Sequence, residues 1–351
     1  MAYCGPGLIT KQLQDEATKF GLTYPPDPAS YDESTLGGNV AEGAGGLRCK
    51  RYGVTKDYIL GLEAVTLDGQ VLRTGIYGEG QGFLIGDVLI ASEGTLAIIT
   101  EISVQLIPTI ERGTTILAGF DHPEDAARTV AAIIGSGMIP NVLEFIDGEA
   151  AACSNAYEKT EGLESVGALL LIETPPEDIE AHTKAIQGFC ETNRSSLLRI
   201  EPDPVEAEAL WKVRRNISKA VKAMGKIRVS EDVAVPITKF AGLVEFASEM
   251  NTSSPLRINS FGHAGDGNLH VGFLSLTGSD EDMEAIETCV DRLMRKTLEL
   301  GGTLSGEHGI GLVKRRYLGL EFDAPTLKAM RAIKDVFDPL GLLNPHKIFS
   351  N

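Results

Sequence analysis

The clearest pattern of apolar and polar positions lies in the middle of the chain. Residues 114–120, 140–146, 167–173 and 196–200 are short apolar runs of strand length. Between them, 123–135 and 176–191 space their apolar residues along one helical face, each with proline at its start. The resulting order β-α-β-β-α-β is that of a ferredoxin-like unit, an open sheet with helices on one face. Helices are expected again at about 205–224, 238–249, 281–300 and 325–337, with a strand at Ser260 and another over 269–274. The most apolar stretch, 168–172, is strand-sized and far too short to span a bilayer. No internal repeat or low-complexity tract interrupts this reading.

Glycine sits on either side of that region. The 39 glycines concentrate between Gly37 and Gly94 and again between Gly262 and Gly311, so these are loops shaped around something rather than linkers. The segment 34–46, Ser-Thr-Leu-Gly-Gly-Asn-Val-Ala-Glu-Gly-Ala-Gly-Gly, reads as a loop with almost no helix former before Leu47. It is neither a Rossmann fingerprint nor a Walker A loop, lacking both the strand-linked G-x-G-x-x-G and the closing Gly-Lys-Ser/Thr. Its small residues and open backbone N–H groups suit a pyrophosphate or the face of a flat ring. The prolines ahead of it, Pro25, Pro26 and Pro28, stiffen the chain and argue against a merely flexible surface loop.

Composition narrows the function. At 351 residues the chain holds two or three domains with cores of their own. Lys+Arg 32 against Asp+Glu 49 leaves a net charge of −17, which excludes nucleic-acid phosphates and anionic membranes as main partners. The five cysteines are scattered and form no C-x-x-C pair, so neither a disulfide framework nor a thiolate metal site is indicated. That usage points to a reducing compartment, and the N-terminal residues do not read as a secretory signal. A soluble, cytoplasmic protein is expected.

Three of the six histidines fall in two glycine-rich motifs, Gly262-His263-Ala264-Gly265-Asp266-Gly267-Asn268-Leu269-His270 and Ser305-Gly306-Glu307-His308-Gly309-Ile310-Gly311. His263, His270 and Glu307 form a chemically sensible ligand set for a divalent ion with open positions, zinc first, manganese or iron after it. His308 is then left to act as a base. Phosphate binding by the glycine loops is the competing reading. His122, His182 and His346 carry no pattern, and the first two read as surface residues.

With these motifs stand Arg48-Cys49-Lys50-Arg51-Tyr52-Gly53-Val54-Thr55-Lys56-Asp57, Ser92-Glu93-Gly94-Thr95-Leu96, Trp211-Lys212-Val213-Arg214-Arg215, Glu231-Asp232-Val233-Ala234-Val235-Pro236 and Leu343-Asn344-Pro345. Together they resemble the FAD-linked 2-hydroxyacid oxidases and dehydrogenases: the glycolate oxidase flavin subunit, D-lactate dehydrogenase and D-2-hydroxyglutarate dehydrogenase group. The resemblance implies an α+β fold. Residues 1–109 become the C-terminal portion of a vanillyl-alcohol oxidase type FAD-binding domain. Residues 110–338 become a ferredoxin-like cap with C-terminal helices, and 339–351 a tail returning to the flavin domain.

FAD is implied along 34–46 and 92–95, with Pro26, Ser30, Thr35, Gly37, Gly38, Asn39, Ala41, Gly45, Gly46, Glu93, Gly94, Ile99 and Asn344 as its contacts. His263, His270 and Glu307 are implied as metal ligands, His308 as the catalytic base, and Arg214 as a bidentate holder of the substrate carboxylate. Ser218, four residues on, is expected on the same helical face. The implied reaction converts a 2-hydroxy acid such as glycolate or D-lactate to the 2-oxo acid. Electrons then pass to a flavoprotein, an iron–sulfur subunit, a quinone or oxygen, and a homo-oligomer is expected.

The departures from the pattern set the alternatives. Family flavin domains begin some tens of residues earlier, so the expectation is an incomplete domain. The chain then reads as a truncated or split subunit, or one whose flavin domain another polypeptide completes. A metal-dependent hydrolase without flavin ranks below both. Residues 77–83 replace a Gly-Tyr-Asp-Leu-like segment, Gly43 a customary Asn, and His346 a Gly. Gly272 stands where hydroxyglutarate enzymes place an Asn, which weakens a dicarboxylate assignment.

Overall fold

The computed structural model describes residues 1–77, 85–159 and 166–349, so the departure at 77–83 lies, beyond Tyr77, outside the described residues. The chain forms two compact units, one of residues 1–110 with 307–351 and the other of 111–306.

The first unit is built on an antiparallel sheet of β1 (Ala2–Cys4), β2 (Ile59–Val65), β3 (Val71–Arg73) and β4 (Ile98–Val104), in the order β1-β4-β2-β3. Its core joins Leu62, Ile102 and Val104 of the sheet to Leu13 of helix α1 (Thr10–Thr18) and to Leu36 and Val40 of helix α2 (Leu36–Glu42). Helix α2 corrects the reading of 34–46 as a loop. Thr35 Oγ1 accepts from the Gly38 N–H at 3.2 Å, and Leu36 and Val40 sit one turn apart on the buried face. Core burial and that cap outweigh two interior glycines costing about 1 kcal/mol each. Gly43, at φ 68°, ends the helix in the left-handed region.

The second unit carries the ferredoxin-like order. Its strands are β5 (Thr115–Phe120), β6 (Val142–Asp147), β7 (Ala168–Glu173), β8 (Ser195–Glu201), β9 (Ile227–Ala234), β10 (Arg257–Gly262) and β11 (Asn268–Ser275). They form one antiparallel sheet in the order β8-β5-β7-β6-β10-β11-β9. The first four are the ferredoxin-like set, and the last three extend it. Strand β9 escaped the sequence reading because Arg228, Ser230, Glu231 and Asp232 break its apolar run.

The unit's main helices are α3 (Pro123–Gly135), α4 (Gly148–Tyr157), α5 (Ile179–Thr192), α6 (Pro204–Ala223), α7 (Phe240–Ser253) and α8 (Asp280–Glu299). They do not keep to one face of the sheet. Side chains alternate along a strand, so Phe145 and Glu144 of β6 face opposite ways. Phe145 meets Phe240 of α7 edge to face at 5.8 Å. On the other face α6 lies against Thr115, whose Oγ1 accepts from Trp211 Nε1 at 3.1 Å. The two helices of the ferredoxin-like set, α3 and α5, pack together in one layer as expected, and α4 with α6 adds a second layer.

From Glu307 the chain is part of the first unit again, whereas the sequence reading drew that boundary after 338. Helix α9 (Ala324–Phe337) is anchored there by Lys334, whose Nζ donates to the carbonyls of Thr95 at 2.6 Å and Leu343 at 2.9 Å. Helical periodicity reports that a face is apolar, not which core it joins.

Candidate functional site

In the second unit a buried charged cluster grows from Glu144, a carboxylate in the otherwise apolar run of β6. It is fully buried. Its Oε2 accepts from Arg214 Nε of α6 at 2.5 Å, and its Oε1 pairs with His263 Nδ1 at 2.6 Å. Burial pushes the carboxyl up, yet the His263 and Arg214 charges and hydrogen bonds prevail and hold it below the usual carboxylate range. The Arg214 guanidinium also lies 4.9 Å over the Phe261 ring.

A second carboxylate–histidine pair stands beside the first. Strand pairing places His270 of β11 opposite Asp232 on one side and Phe261 on the other. His270 Nδ1 lies 3.3 Å from Asp232 Oδ1, which also accepts from Asn268 Nδ2 at 2.6 Å. The His263 and His270 ring centroids are 5.5 Å apart, with planes at 88°. The turn joining these strands requires Gly267. Its φ is +73°, and a Cβ there would come within 2.0 Å of the Val235 carbonyl. Each imidazole thus has a carboxylate near Nδ1, and the hydrogen bond at His263 is the arrangement that directs a histidine's Nε2 to a metal.

The structure therefore brings Arg214, His263 and His270 together within one unit. Ser218, one turn along α6, is exposed and lies outside the cluster, and Arg215 is half-exposed and paired with Glu208. Glu307 and His308 belong to the first unit. There Glu307 lies against Gly45, where a Cβ would sit 2.7 Å from its Oε2, and His308 Nε2 is 3.9 Å from Glu307 Oε1.

The residues expected to contact FAD cluster in the first unit, and many side chains among them are committed to the protein itself. Asn39 Nδ2 donates to Thr10 Oγ1 at 2.7 Å, and Thr35 caps α2. Glu93 is buried at φ 53°, and its carboxylate accepts from the N–H groups of Ile310 at 2.6 Å and Gly311 at 2.8 Å. The Glu93 carbonyl accepts from Asn344 Nδ2 at 2.6 Å, while the Glu93 N–H donates to the Ala41 carbonyl at 2.8 Å. The motifs at 92–96, 305–311 and 343–345 thus meet at one residue. Gly94 follows in the same left-handed turn.

Gly37 and Gly46 are required by close approach to Pro6 and Asp27, where a Cβ would come within 2.6 and 2.5 Å. Buried Pro26 offers its carbonyl to Gln14, Ser30 is exposed at a turn, and Ile99 lies in β4 opposite Ala64. Gly38 and Ala41, by contrast, are small residues on the part of α2 left uncovered by the core. A flat ring can approach the backbone there.

Glu144 and Asp232 were missed as site residues. The available signal was a carboxylate inside Val142-Leu143-Glu144-Phe145-Ile146, since a charge in a buried run needs a buried partner.

Among the described residues, no helix is long and apolar enough to cross a membrane. Residues 110–348 match the family described as FAD linked oxidases, C-terminal domain, and residues 1–75 match an FAD binding domain. The chain is 37% identical to glycolate oxidase subunit GlcD of Bacillus subtilis (strain 168), over 98% of its own length and 74% of the relative's. It is 33% identical to a D-lactate dehydrogenase of Anaerostipes hadrus, covering 97% and 74%. Among solved structures, p-cresol methylhydroxylase superposes with a TM-score of 0.77 at 14% identity, over 99% of this chain and 75% of that one. Alkyldihydroxyacetonephosphate synthase does so at 0.69 and 20%, over 99% of this chain and 64% of that one, just under two thirds of its length. Likenesses at such identity speak for the fold, of vanillyl-alcohol oxidase type, while the family matches span most of the sequence. The chain belongs to the FAD-linked oxidases.

Proposed function

We propose that the protein oxidises a small 2-hydroxy acid, of the glycolate or D-lactate kind, to the 2-oxo acid. The observation that carries this reading is the buried Arg214–Glu144–His263 cluster beside the His270–Asp232 pair. A guanidinium and two imidazoles gathered in one buried cluster suit a substrate with adjacent carboxylate and hydroxyl oxygens. Bound FAD supplies the hydride acceptor, and the small outer face of α2 with the Glu93–Gly94 turn is where this chain's residues would hold it.

The donor set around the two imidazoles fits a divalent ion, which supplies Lewis acidity toward the hydroxyl oxygen. His263 and His270 are its proposed ligands. Glu307, the third ligand offered by the sequence motif, and His308, the base, lie in the first unit, and His308 is tested by its own substitution. Arg214 is the residue proposed to hold a substrate carboxylate. His308 is the proposed base. The acceptor of the electrons is proposed to be a flavoprotein, an iron–sulfur subunit or a quinone, and the location the cytoplasm.

The test follows bleaching of bound flavin by glycolate and D-lactate, with zinc and flavin content measured alongside. His308→Ala should lower turnover by about 10²–10⁴-fold with both contents unchanged. His263→Ala should lose the metal. Near-wild-type bleaching in the His308 variant removes it as the base, and a wild-type protein unbleached by any 2-hydroxy acid overturns the reading.

A further inference from the structure

We infer that Glu144 is a positioning residue that couples the two halves of the site, setting the Arg214 guanidinium and the His263 imidazole with one carboxylate. The inference rests on the function proposed above and extends it to a residue that touches neither substrate nor metal.

Three observations carry it. The bond to Arg214 uses Nε at 2.5 Å, so the guanidinium is held at its inner edge and its terminal nitrogens are aimed by that grip. The bond to His263 uses Nδ1 at 2.6 Å, which fixes the ring's orientation and assigns Nε2 to the ligand role. Finally, Glu144 is fully buried in a strand whose residues from Val142 to Ile146 are all buried. A buried ion pair is seldom needed for stability, because well-packed apolar residues serve as well or better. A carboxylate shared between an arginine and a histidine, from elements 70 and 119 residues away, is better explained by orientation. His270 has its own carboxylate in Asp232, which makes His263 the ligand that Glu144 governs.

The experiment measures zinc affinity of the metal-stripped full chain by competition with a chromogenic chelator. Thermal melting is recorded for every variant. Glu144→Gln should weaken zinc binding by about 10–100-fold, the usual effect of removing a group that orients a ligand. Should it fail to fold, the double variant Glu144→Leu/Arg214→Met carries the test, because it removes the buried charges together. It should lose zinc affinity to the same extent, although it alters no proposed ligand. Arg214→Met alone keeps Glu144 on His263 and should hold zinc as tightly as the wild type. A double variant that binds zinc like the wild type overturns the inference while leaving the metal site intact. A wild-type protein without zinc affinity overturns the metal reading, and the inference with it.

Discussion

Each unit of this protein contains a buried glutamate that gathers distant segments, and the two do different work. Glu93, 4% exposed, accepts two backbone N–H groups in the first unit, those of Ile310 and Gly311. Its partners are neutral, and it fixes the path of the chain. Glu144, 0% exposed, accepts from the side chains of Arg214 and His263 in the second unit. It fixes the direction of groups that do chemistry. The same residue type builds a scaffold in one place and a site in the other. The difference lies in whether the partners can carry charge.

The sharpest way to break this comparison is the isosteric change at both positions. Glu144→Gln leaves Arg214 without its countercharge in a dry place and should cost about 3–5 kcal/mol in urea unfolding. Glu93→Gln keeps one oxygen for one N–H but turns its NH2 toward the other, and should cost about 1–3 kcal/mol, the effect of one buried donor left without its acceptor. Equal losses would mean that both glutamates are scaffold.

A third carboxylate lies between these cases. Asp147 caps α4 by accepting from the Ala150 N–H at 2.7 Å, and it also accepts from the Ser260 hydroxyl at 2.8 Å and the Ser260 N–H. Burial pushes its carboxyl up to about 7 from 3.8, with hydrogen bonds from Ala150 and Ser260 pulling the other way and nearby Glu149 adding to the rise. Glu149 is itself paired with Arg257. A folded pKa above the unfolded one favours the protonated form in the fold. The stability it contributes is full below about pH 4 and is lost as pH rises toward 7. Asp147→Asn still caps the helix and should remove that slope. The wild-type melting temperature, relative to the variant's, should fall by about 6–12 °C between pH 4 and 7, the effect of about 3 kcal/mol. A flat difference would show that Asp147 is charged throughout and belongs with Glu93 as scaffold.

The smallest effect is expected at an uncharged cap in the first unit. Thr35→Ala removes the acceptor for the Gly38 N–H and should cost about 1 kcal/mol. A much larger loss would show that α2 is held by its cap rather than by Leu36 and Val40.

Much of the second unit was legible because apolar spacing reports burial. The strands at 115–120 and 168–173 are buried at every position, and runs of that kind cannot easily be anything else. Helix α4 was not legible. Its buried residues are Ala150, Ala151, Cys153 and Ser154, too small and too closely spaced to draw an apolar stripe. Helix α2 was hidden by Gly37 and Gly38, whose weak propensity is overruled by the core beneath Leu36 and Val40. In the proposed site, the two histidines were visible from their glycine-flanked motif, and Arg214 from its resemblance. Their carboxylate partners were visible only as residues, with no signal to pair them.

By itself, then, the sequence determined the order of elements in the ferredoxin-like unit, the motifs that carry the family, and the reactive side chains at 214, 263 and 270. These are local quantities, set by spacing along the chain. Tertiary structure alone decided that β10, β11 and β9 extend the sheet, so that Asp232 faces His270 across a ladder and Glu144 reaches both Arg214 and His263. It also decided that Glu93 would serve the backbone of Ile310 and Gly311 rather than a charged side chain. The reason is physical. Periodicity specifies which face of an element is buried, but a buried carboxylate takes its character from the donors that sheet order and packing bring to it from far along the chain.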